Sequence, residues 1–356
     1  MPEAKRKKKT SKKKNGKSWK RTLLYGLLFV FTFDFFLFES VVVTDTKMEN
    51  SLFPGDIVVI NEFTYGKRLP ITLLTLPFFR DNIPFTSVHS YLDLIRLPYF
   101  RLPGTGDVER NDLMAINYPL EFDFPDDKKS VVVKRCVALP GDTVAISDKK
   151  VFVNGFLVAS PPDCKYRYRI VSHEPLTEEY LESREIFEGG VVLPPNVYDF
   201  YITNDQADSL RKDSLIRNVN IMKIPRNLES TLFFPGDAFY SWNLDYFGDL
   251  VVPAKGDTVH LDEKTLPLYS LIIDYYEDNE FYVQDGKIFI NGTESTTYTF
   301  KYNYYFVMDD NRDNSKDSRI WGFVPETHLL GKVSFVFFSL DSGHNSWWSR
   351  FFKIPE

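Results

Sequence analysis

The rest of the chain is best interpreted from the segment Met308-Asp309-Asp310-Asn311-Arg312-Asp313-Asn314-Ser315-Lys316-Asp317-Ser318-Arg319-Ile320-Trp321-Gly322-Phe323-Val324-Pro325. We call it the signature segment. It follows an aromatic run, residues 302–307, that has the character of a strand. Asn, Asp and Ser bond to their own backbone and favour turns, so a plain surface loop is the simplest interpretation. Four Asp, two Arg and two Ser in eighteen residues favour instead an internally bonded loop that holds Ser315 or Ser318 toward a cleft.

The signature segment resembles the sequence Gly-Asp-Asn-Arg-Asp-Asn-Ser-x-Asp-Ser-Arg-Tyr-Trp-Gly-x-Val-Pro near the end of bacterial type I signal peptidases (peptidase family S26). This resemblance implies a mostly β fold, in which a signal-peptidase-like barrel or sheet core carries a large β-rich insertion and is tethered by one N-terminal transmembrane helix. It also implies a serine endopeptidase that uses a Ser/Lys pair on the signal peptides of exported preproteins, with no cofactor and no metal.

The composition agrees with a folded, strand-rich protein. The chain has 356 residues, enough for one large or two ordinary domains, and 16% of them are aromatic. Residues 1–21 hold eleven Lys/Arg and one Glu, a charge of +10 against a total of −6, so the remainder carries −16. Such a basic tail is typical of a nucleic-acid arm, a targeting signal or the cytoplasmic flank of a membrane helix.

The residues after the basic tail decide between these three interpretations. Leu23 to Val43 is a nearly continuous apolar run of 21 residues, and about 20 residues cross a bilayer core. The run is longer than the apolar region of a cleavable signal peptide and lacks a small-residue cleavage site. We therefore expect a cytoplasmic tail (residues 1–21), a transmembrane helix (22–43) in the inner membrane, an extracytoplasmic main domain, and no nucleic-acid partner.

The segment directly after this apolar run matches a second family block. Signal peptidases read, roughly, Pro-Ser/Thr-Gly-Ser-Met-x-x-Ser/Thr-Leu-x-x-Gly-Asp here, and Met48, Ser51-Leu52 and Gly55-Asp56 anchor the match. The alignment puts Lys47 at the position of the nucleophilic serine and Asp45 at the hydroxyl position that helps stabilise the oxyanion. Met48, together with Asp309, falls at a substrate-binding position.

A third match carries the general base. Residues 131–144 read Val-Val-Val-Lys-Arg-Cys-Val-Ala-Leu-Pro-Gly-Asp-Thr-Val, and the resemblance identifies Lys134 as the base. Lysine accepts a proton only when it is neutral, which apolar burial favours. The resemblance also implies that Ser315 bonds this amine and that Asp317 and Arg319 brace the loop as an ion pair.

The order of the blocks predicts the domain organisation. We expect a core from residues 44–145 and 306–340, a β-rich insertion from 146–305, and an aromatic tail from 341–356 that contacts lipid or caps the core. Within the insertion we expect a short helix from Glu178 to Arg184 and two hairpins that turn at Asn154-Gly155 and Asn291-Gly292. Cys136 and Cys164 form either a disulfide or two buried thiols.

Three departures from the family pattern lie at one place. Lys47 has no hydroxyl, Asp45 puts a negative charge near a developing oxyanion, and Asp309 replaces the glycine that opens the signature. Two ammonium groups about 4 Å apart repel by roughly 4 kcal/mol at an effective dielectric of about 20. We therefore expect either that one amine is neutral or that Lys47 turns toward Asp45, Glu49 or Asp309.

Three functions fit these observations. The first is a signal-peptidase homologue without the Ser/Lys reaction, which binds signal peptides or partners an active paralogue. The second is a working serine peptidase with a substitute hydroxyl, Ser51 or Thr46. The third is a structural envelope protein on the same scaffold.

Overall fold

The fold was obtained as a computed structural model, which describes residues 21–26, 39–75, 86, 88–228, 231–340 and 350–355. The chain divides into two units, residues 1–39 and residues 40–356. In the first unit, residues 21–26 are helical. Within the described ranges, no helix has the length and apolar character needed to cross a membrane. The basic tail up to residue 20 and residues 27–38 of the predicted transmembrane helix lie outside these ranges.

Strands dominate the described residues, which confirms the prediction of a mostly β protein. The strands are β1 (Glu39–Val42), β2 (Asp56–Asn61), β3 (Thr72–Thr75), β4 (Tyr91–Arg96), β5 (Leu113–Asn117), β6 (Val131–Ala138), β7 (Thr143–Ser147), β8 (Lys150–Val153), β9 (Phe156–Val158), β10 (Lys165–Ser172), β11 (Gly189–Leu193), β12 (Val197–Thr203), β13 (Ile216–Ile221), β14 (Tyr246–Val251), β15 (Thr258–His260), β16 (Phe281–Gln284), β17 (Lys287–Ile290), β18 (Thr293–Glu294), β19 (Thr297–Thr299), β20 (Tyr304–Met308), β21 (Val324–Pro325) and β22 (Leu329–Ser339).

Helices in residues 40–356 are short. They are α1 (Glu178–Ser183), α2 (Asn204–Arg211), α3 (Leu266–Leu271) and α4 (Ser318–Trp321), with a π-helical turn at Ile272–Tyr276 and a 3-10 turn at Glu326–His328. The predicted helix near residues 178–184 is α1, and its first turn is capped by the hydroxyl of Thr177. Residues 39–42, which we predicted to be the end of the transmembrane helix, form β1 instead, because this β-branched segment pairs at the edge of a sheet.

The largest sheet has seven strands in the order β1-β2-β22-β5-β6-β20-β21. It joins segments that lie far apart in the sequence, and its pairs are antiparallel where β2, β22, β5, β6 and β20 meet. β5 is buried along its whole length, and the last six residues of β6 are buried as well. This sheet therefore carries β6, with Lys134 and Arg135, beside β20, whose last residue opens the signature segment.

The insertion forms further sheets. One has the order β11-β12-β10-β13 and packs with α1 and α2 around its own apolar core. Another has the order β14-β7-β8-β9. Its hairpin turns at Asn154 and Gly155, both with positive φ, and the β17–β18 hairpin turns in the same way at Asn291 and Gly292. Both predicted Asn-Gly hairpins are confirmed. The exact domain boundaries stay a prediction.

Two features left open by the sequence are settled among the described residues. Cys136 and Cys164 are free and buried. At the C-terminal end, the guanidinium of Arg350 is buried in an ion pair with Asp56, while Lys353 forms a bridge with Val336. Residues 350–355 therefore pack on β22, and residues 341–349 lie outside the described ranges.

Candidate functional site

The main sheet brings Lys134 to the signature segment. In the register of β6 with β20, Arg135 lies opposite Met308, so Lys134 is adjacent to the residues that follow this strand. The side chain of Lys134 is only 2% exposed, and its Nζ atom lies 5.7 Å from the centre of the Trp321 ring. A lysine in a strand whose two faces are both buried needs a polar partner for its amine.

Asp309 is that partner. Its Oδ1 atom lies 2.5 Å from Nζ of Lys134, and its side chain is fully buried. Its second oxygen accepts the backbone N–H of Lys316 at 2.8 Å, and its own N–H donates to Asp317 at 3.0 Å. Burial raises the pKa of the Asp309 carboxyl to about 7, against the opposing effect of the Lys134 ammonium. The loop is therefore folded around this carboxyl group.

A second buried ion pair braces the same loop. The guanidinium of Arg319 binds Asp317 at 2.7 Å and donates to the Ser315 hydroxyl at 2.9 Å. Burial alone would raise the pKa of Asp317, but the Arg319 guanidinium and backbone N–H donors outweigh it and lower this pKa. The Ser315 hydroxyl, which the resemblance directs to the lysine amine, thus accepts a hydrogen bond from Arg319.

Lys47 also contacts the signature segment. Its backbone carbonyl accepts the N–H of Asn311 at 2.9 Å, and its own N–H donates to the Asp45 carboxylate at 3.0 Å. Its Nζ atom donates to Oδ1 of Asn314 at 2.5 Å. The amine therefore turns to a carboxamide and to none of the three carboxylates we expected, because Glu49 binds Lys165 and Asp309 binds Lys134.

Glu188 was missed by the sequence analysis. It lies just before β11 in the insertion and accepts the side-chain N–H groups of both Asn314 and Asn311, the latter at 2.6 Å. Burial raises the pKa of Glu188, and the nearby carboxylate of Glu49 adds to this, while the two asparagines oppose it. No local sequence pattern marks Glu188, since its partners lie more than a hundred residues away.

The candidate substitute hydroxyl of Ser51 lies in a different network. It donates to Asp310 at 2.7 Å and accepts from Arg135 at 3.1 Å, while Arg135 binds Asp310 with two hydrogen bonds. All three side chains are buried.

Met48 is likewise buried, in an apolar cluster with Leu52, Val58 and others. In the part of the chain that the structure describes, no group of His, Cys, Asp and Glu side chains has a metal-binding arrangement.

Comparison with known proteins relates this site to one family. The family described as "Signal peptidase, peptidase S26" matches residues 16–214 and 248–338. The chain is 23% identical over 321 residues to signal peptidase I of Buchnera aphidicola subsp. Schizaphis graminum. The aligned region covers 89% of this chain and 73% of that protein. It is 26% identical over 326 residues to signal peptidase I of Haemophilus influenzae (90% and 69%) and 24% identical over 328 residues to that of Helicobacter pylori strain J99 (91% and 81%). The chain belongs to the S26 family of signal peptidases.

Proposed function

We propose that this chain acts in the processing of exported proteins as a signal-peptidase homologue that does not perform the Ser/Lys reaction. In this role it binds signal peptides or assists an active signal peptidase. The observation that carries the proposal is the pairing of the Lys134 amine with the Asp309 carboxyl group.

The chemistry of a Ser/Lys pair requires a neutral amine that accepts a proton from a hydroxyl. A carboxylate within hydrogen-bond distance favours the charged ammonium instead. The Lys134 amine donates a hydrogen bond to an oxygen of Asp309. This pairing supports a site without a working base.

The position of Lys47 supports the same conclusion. In the alignment it stands for the nucleophilic serine, and its amine is bound to the Asn314 carboxamide. Asp45 stands at the oxyanion-helper position, and its carboxylate accepts the backbone N–H of Lys47. A carboxylate there opposes the charge of an oxyanion. In this alignment the nucleophile and oxyanion positions have therefore both changed, and the base position keeps its lysine but pairs it with Asp309.

The alternative of a substitute hydroxyl finds less support. Ser51 is 3% exposed and bonds to Asp310 and Arg135, so its hydroxyl is committed to a buried ion pair. For Thr46, the described hydrogen bonds are made by its backbone carbonyl, which accepts from the Asn311 side chain and from the backbone N–H of Glu49. The third function, a structural envelope protein, differs from our proposal only in lacking signal-peptide binding.

We further propose that the chain is anchored in the inner membrane with its N-terminus in the cytoplasm. The basic residues before the apolar run support this orientation, and the lipid bilayer is then a partner of residues 22–38.

The proposal is tested with the purified full-length chain in detergent and a fluorescent signal-peptide substrate. We expect no cleavage and saturable binding, whereas a peptide from the mature region of the same preprotein should not bind. Cleavage that Ser51→Ala abolishes would show the substitute-hydroxyl peptidase. Absence of both cleavage and binding would favour the structural protein.

A further inference from the structure

The contact between Lys47 and Asn314 has the arrangement of reactants for an amide exchange. The lysine Nζ atom lies 2.5 Å from the carboxamide oxygen of Asn314, across 267 residues of sequence. The carboxamide nitrogen, on the other side of the same group, donates to an oxygen of Glu188. An amine, a carboxamide and a carboxyl group are therefore bonded in succession within one partly buried cluster.

We propose that Lys47 and Asn314 form an intramolecular isopeptide bond, with Glu188 as the proton-transfer group. This inference goes beyond the proposed function and does not depend on it, since the bond requires only these three side chains. It assigns a covalent modification to the residue that stands at the nucleophile position.

The reaction balances without an oxidant or a second substrate. The lysine nitrogen attacks Cγ of Asn314, so the Nζ–Cγ bond forms and the Cγ–Nδ2 bond breaks. The ammonium group of Lys47 loses two protons, and both leave with the former amide nitrogen as an ammonium ion. The products are one secondary amide and one ammonium ion, with no change in total charge.

Glu188 lies where this proton transfer is needed. A carboxamide nitrogen is a poor leaving group until it receives a proton, and Glu188 is hydrogen-bonded to that nitrogen. Its second oxygen is held by Asn311, which fixes the orientation of the carboxyl group. Burial raises the pKa of Glu188, so a larger fraction of it carries a proton to give. Because the partners are held in contact, the attack needs no diffusion.

The experiment is a peptide map of the purified full-length chain. Trypsin together with a glutamate-specific protease releases residues 40–49, which contain Lys47, and residues 313–316, which contain Asn314. We expect these two peptides joined, with a mass lower than their sum by one ammonia, and with no cleavage after Lys47. A denaturing gel gives a second measurement. The bond closes residues 47–314 into a covalent loop, so the unmodified protein should migrate faster than the Lys47→Arg variant, which lacks a primary amine.

The chain offers a matched control for this chemistry. Lys301 donates to the Oδ1 atom of Asn279 at 3.1 Å, so it is also a lysine on a carboxamide. The side-chain nitrogen of Asn279 donates instead to carbonyl oxygens and to the Tyr298 hydroxyl. Among the described residues, no carboxyl group accepts a hydrogen bond from it. We expect Lys301 and Asn279 to remain unlinked in the same sample.

Glu188→Gln separates the role of the carboxyl group from that of the contact. This variant retains both reactants, and we expect its linked fraction to fall at least tenfold. Cleavage after Lys47, which gives a separate 40–47 peptide, together with a 313–316 peptide of full mass in the unmodified chain, would overturn the proposal. A bond formed equally well in Glu188→Gln, or a link from Lys47 to Glu188 with loss of water, would overturn the assigned role of Glu188.

Discussion

The Nζ atom of Lys134 lies 2.5 Å from the Oδ1 atom of Asp309, and the two side chains are 2% and 0% exposed. One comes from a strand of the main sheet and the other from the start of the signature segment. In the predicted alignment, Asp309 stands where the family signature opens with glycine, which has no side chain. The buried amine therefore has a carboxyl partner in the same chain for which we predict a lysine, Lys47, at the nucleophile position.

Restoring peptidase activity should require changes at both of these positions. We expect Lys47→Ser alone to cleave only very slowly, because Asp309 is still bonded to the amine of Lys134. The double variant Lys47→Ser/Asp309→Gly frees the amine and supplies a hydroxyl. Its rate of signal-peptide cleavage should exceed that of the single variant by about 10²–10⁴-fold, the usual contribution of a general base.

The control for this gain is the triple variant that adds Lys134→Ala, which should abolish the restored cleavage. Cleavage by Lys47→Ser alone at the rate of the double variant would show that Asp309 does not block the base. The readout is the initial rate of release of the labelled signal peptide by equal amounts of each folded variant.

The buried pair of Arg135 and Asp310 should contribute strongly to stability. The side chains are 3% and 0% exposed, so Asp310→Ala leaves a guanidinium buried without its carboxylate. We expect the free energy of unfolding to fall by about 3–5 kcal/mol, measured by urea denaturation. The exposed pair of Arg211 and Asp208 is the matched control, and Asp208→Ala should cost less than about 1 kcal/mol. Equal losses in the two variants would contradict this assignment.

The stability of the chain should depend on pH through His328. This side chain is buried against the Asp126 carboxylate, the Lys129 amine and Arg68, and burial lowers its pKa to about 3 from 6.5. Between these two values the unfolded chain binds more protons than the folded chain, so stability falls as the pH falls. From pH 7 to pH 5 this group should cost about 2 kcal/mol of unfolding free energy.

His328→Gln should remove that part of the pH dependence. Asp309, with its raised pKa, acts in the opposite direction, but its effect is common to both proteins and cancels in the comparison. Replacement of the exposed His173 by Gln is the matched control for the loss of a histidine. An unaltered slope in His328→Gln, measured by urea titrations at several pH values, would refute the assignment.

Gly322, in the signature segment, should not tolerate a side chain. Its φ is +85°, and a Cβ atom there would lie 2.4 Å from the ring of Phe234. Gly256 has a similar φ of +90° and open space around it, so Gly256→Ala reports the backbone strain alone, about 1–2 kcal/mol. We expect Gly322→Ala to cost about 1–3 kcal/mol more in thermal or urea unfolding, because the core is overpacked. Equal costs would show that Phe234 moves aside freely.

Local features were predictable because they depend on neighbouring residues. Asn154-Gly155 and Asn291-Gly292 specify their turns, since both residues accept positive φ, and Thr177 marks the start of α1. The signature segment, read with the blocks around Met48 and Lys134, was enough to predict the family. A family pattern also assigns roles to single positions, and from it we predicted that Lys47 and Asp309 depart from the family; this stays a prediction.

The partners of these side chains were decided by the tertiary structure. We expected the Ser315 hydroxyl to bond the Lys134 amine. In the folded loop it accepts instead from Arg319, four residues away. Asp309 meets Lys134 only because β6 and β20 pair in one sheet, and Glu188 reaches Asn314 only because the insertion packs against the signature segment. Spacing along the chain does not tell which distant polar side chains form hydrogen bonds or ion pairs with each other. Burial and strand register select those pairs when the chain folds.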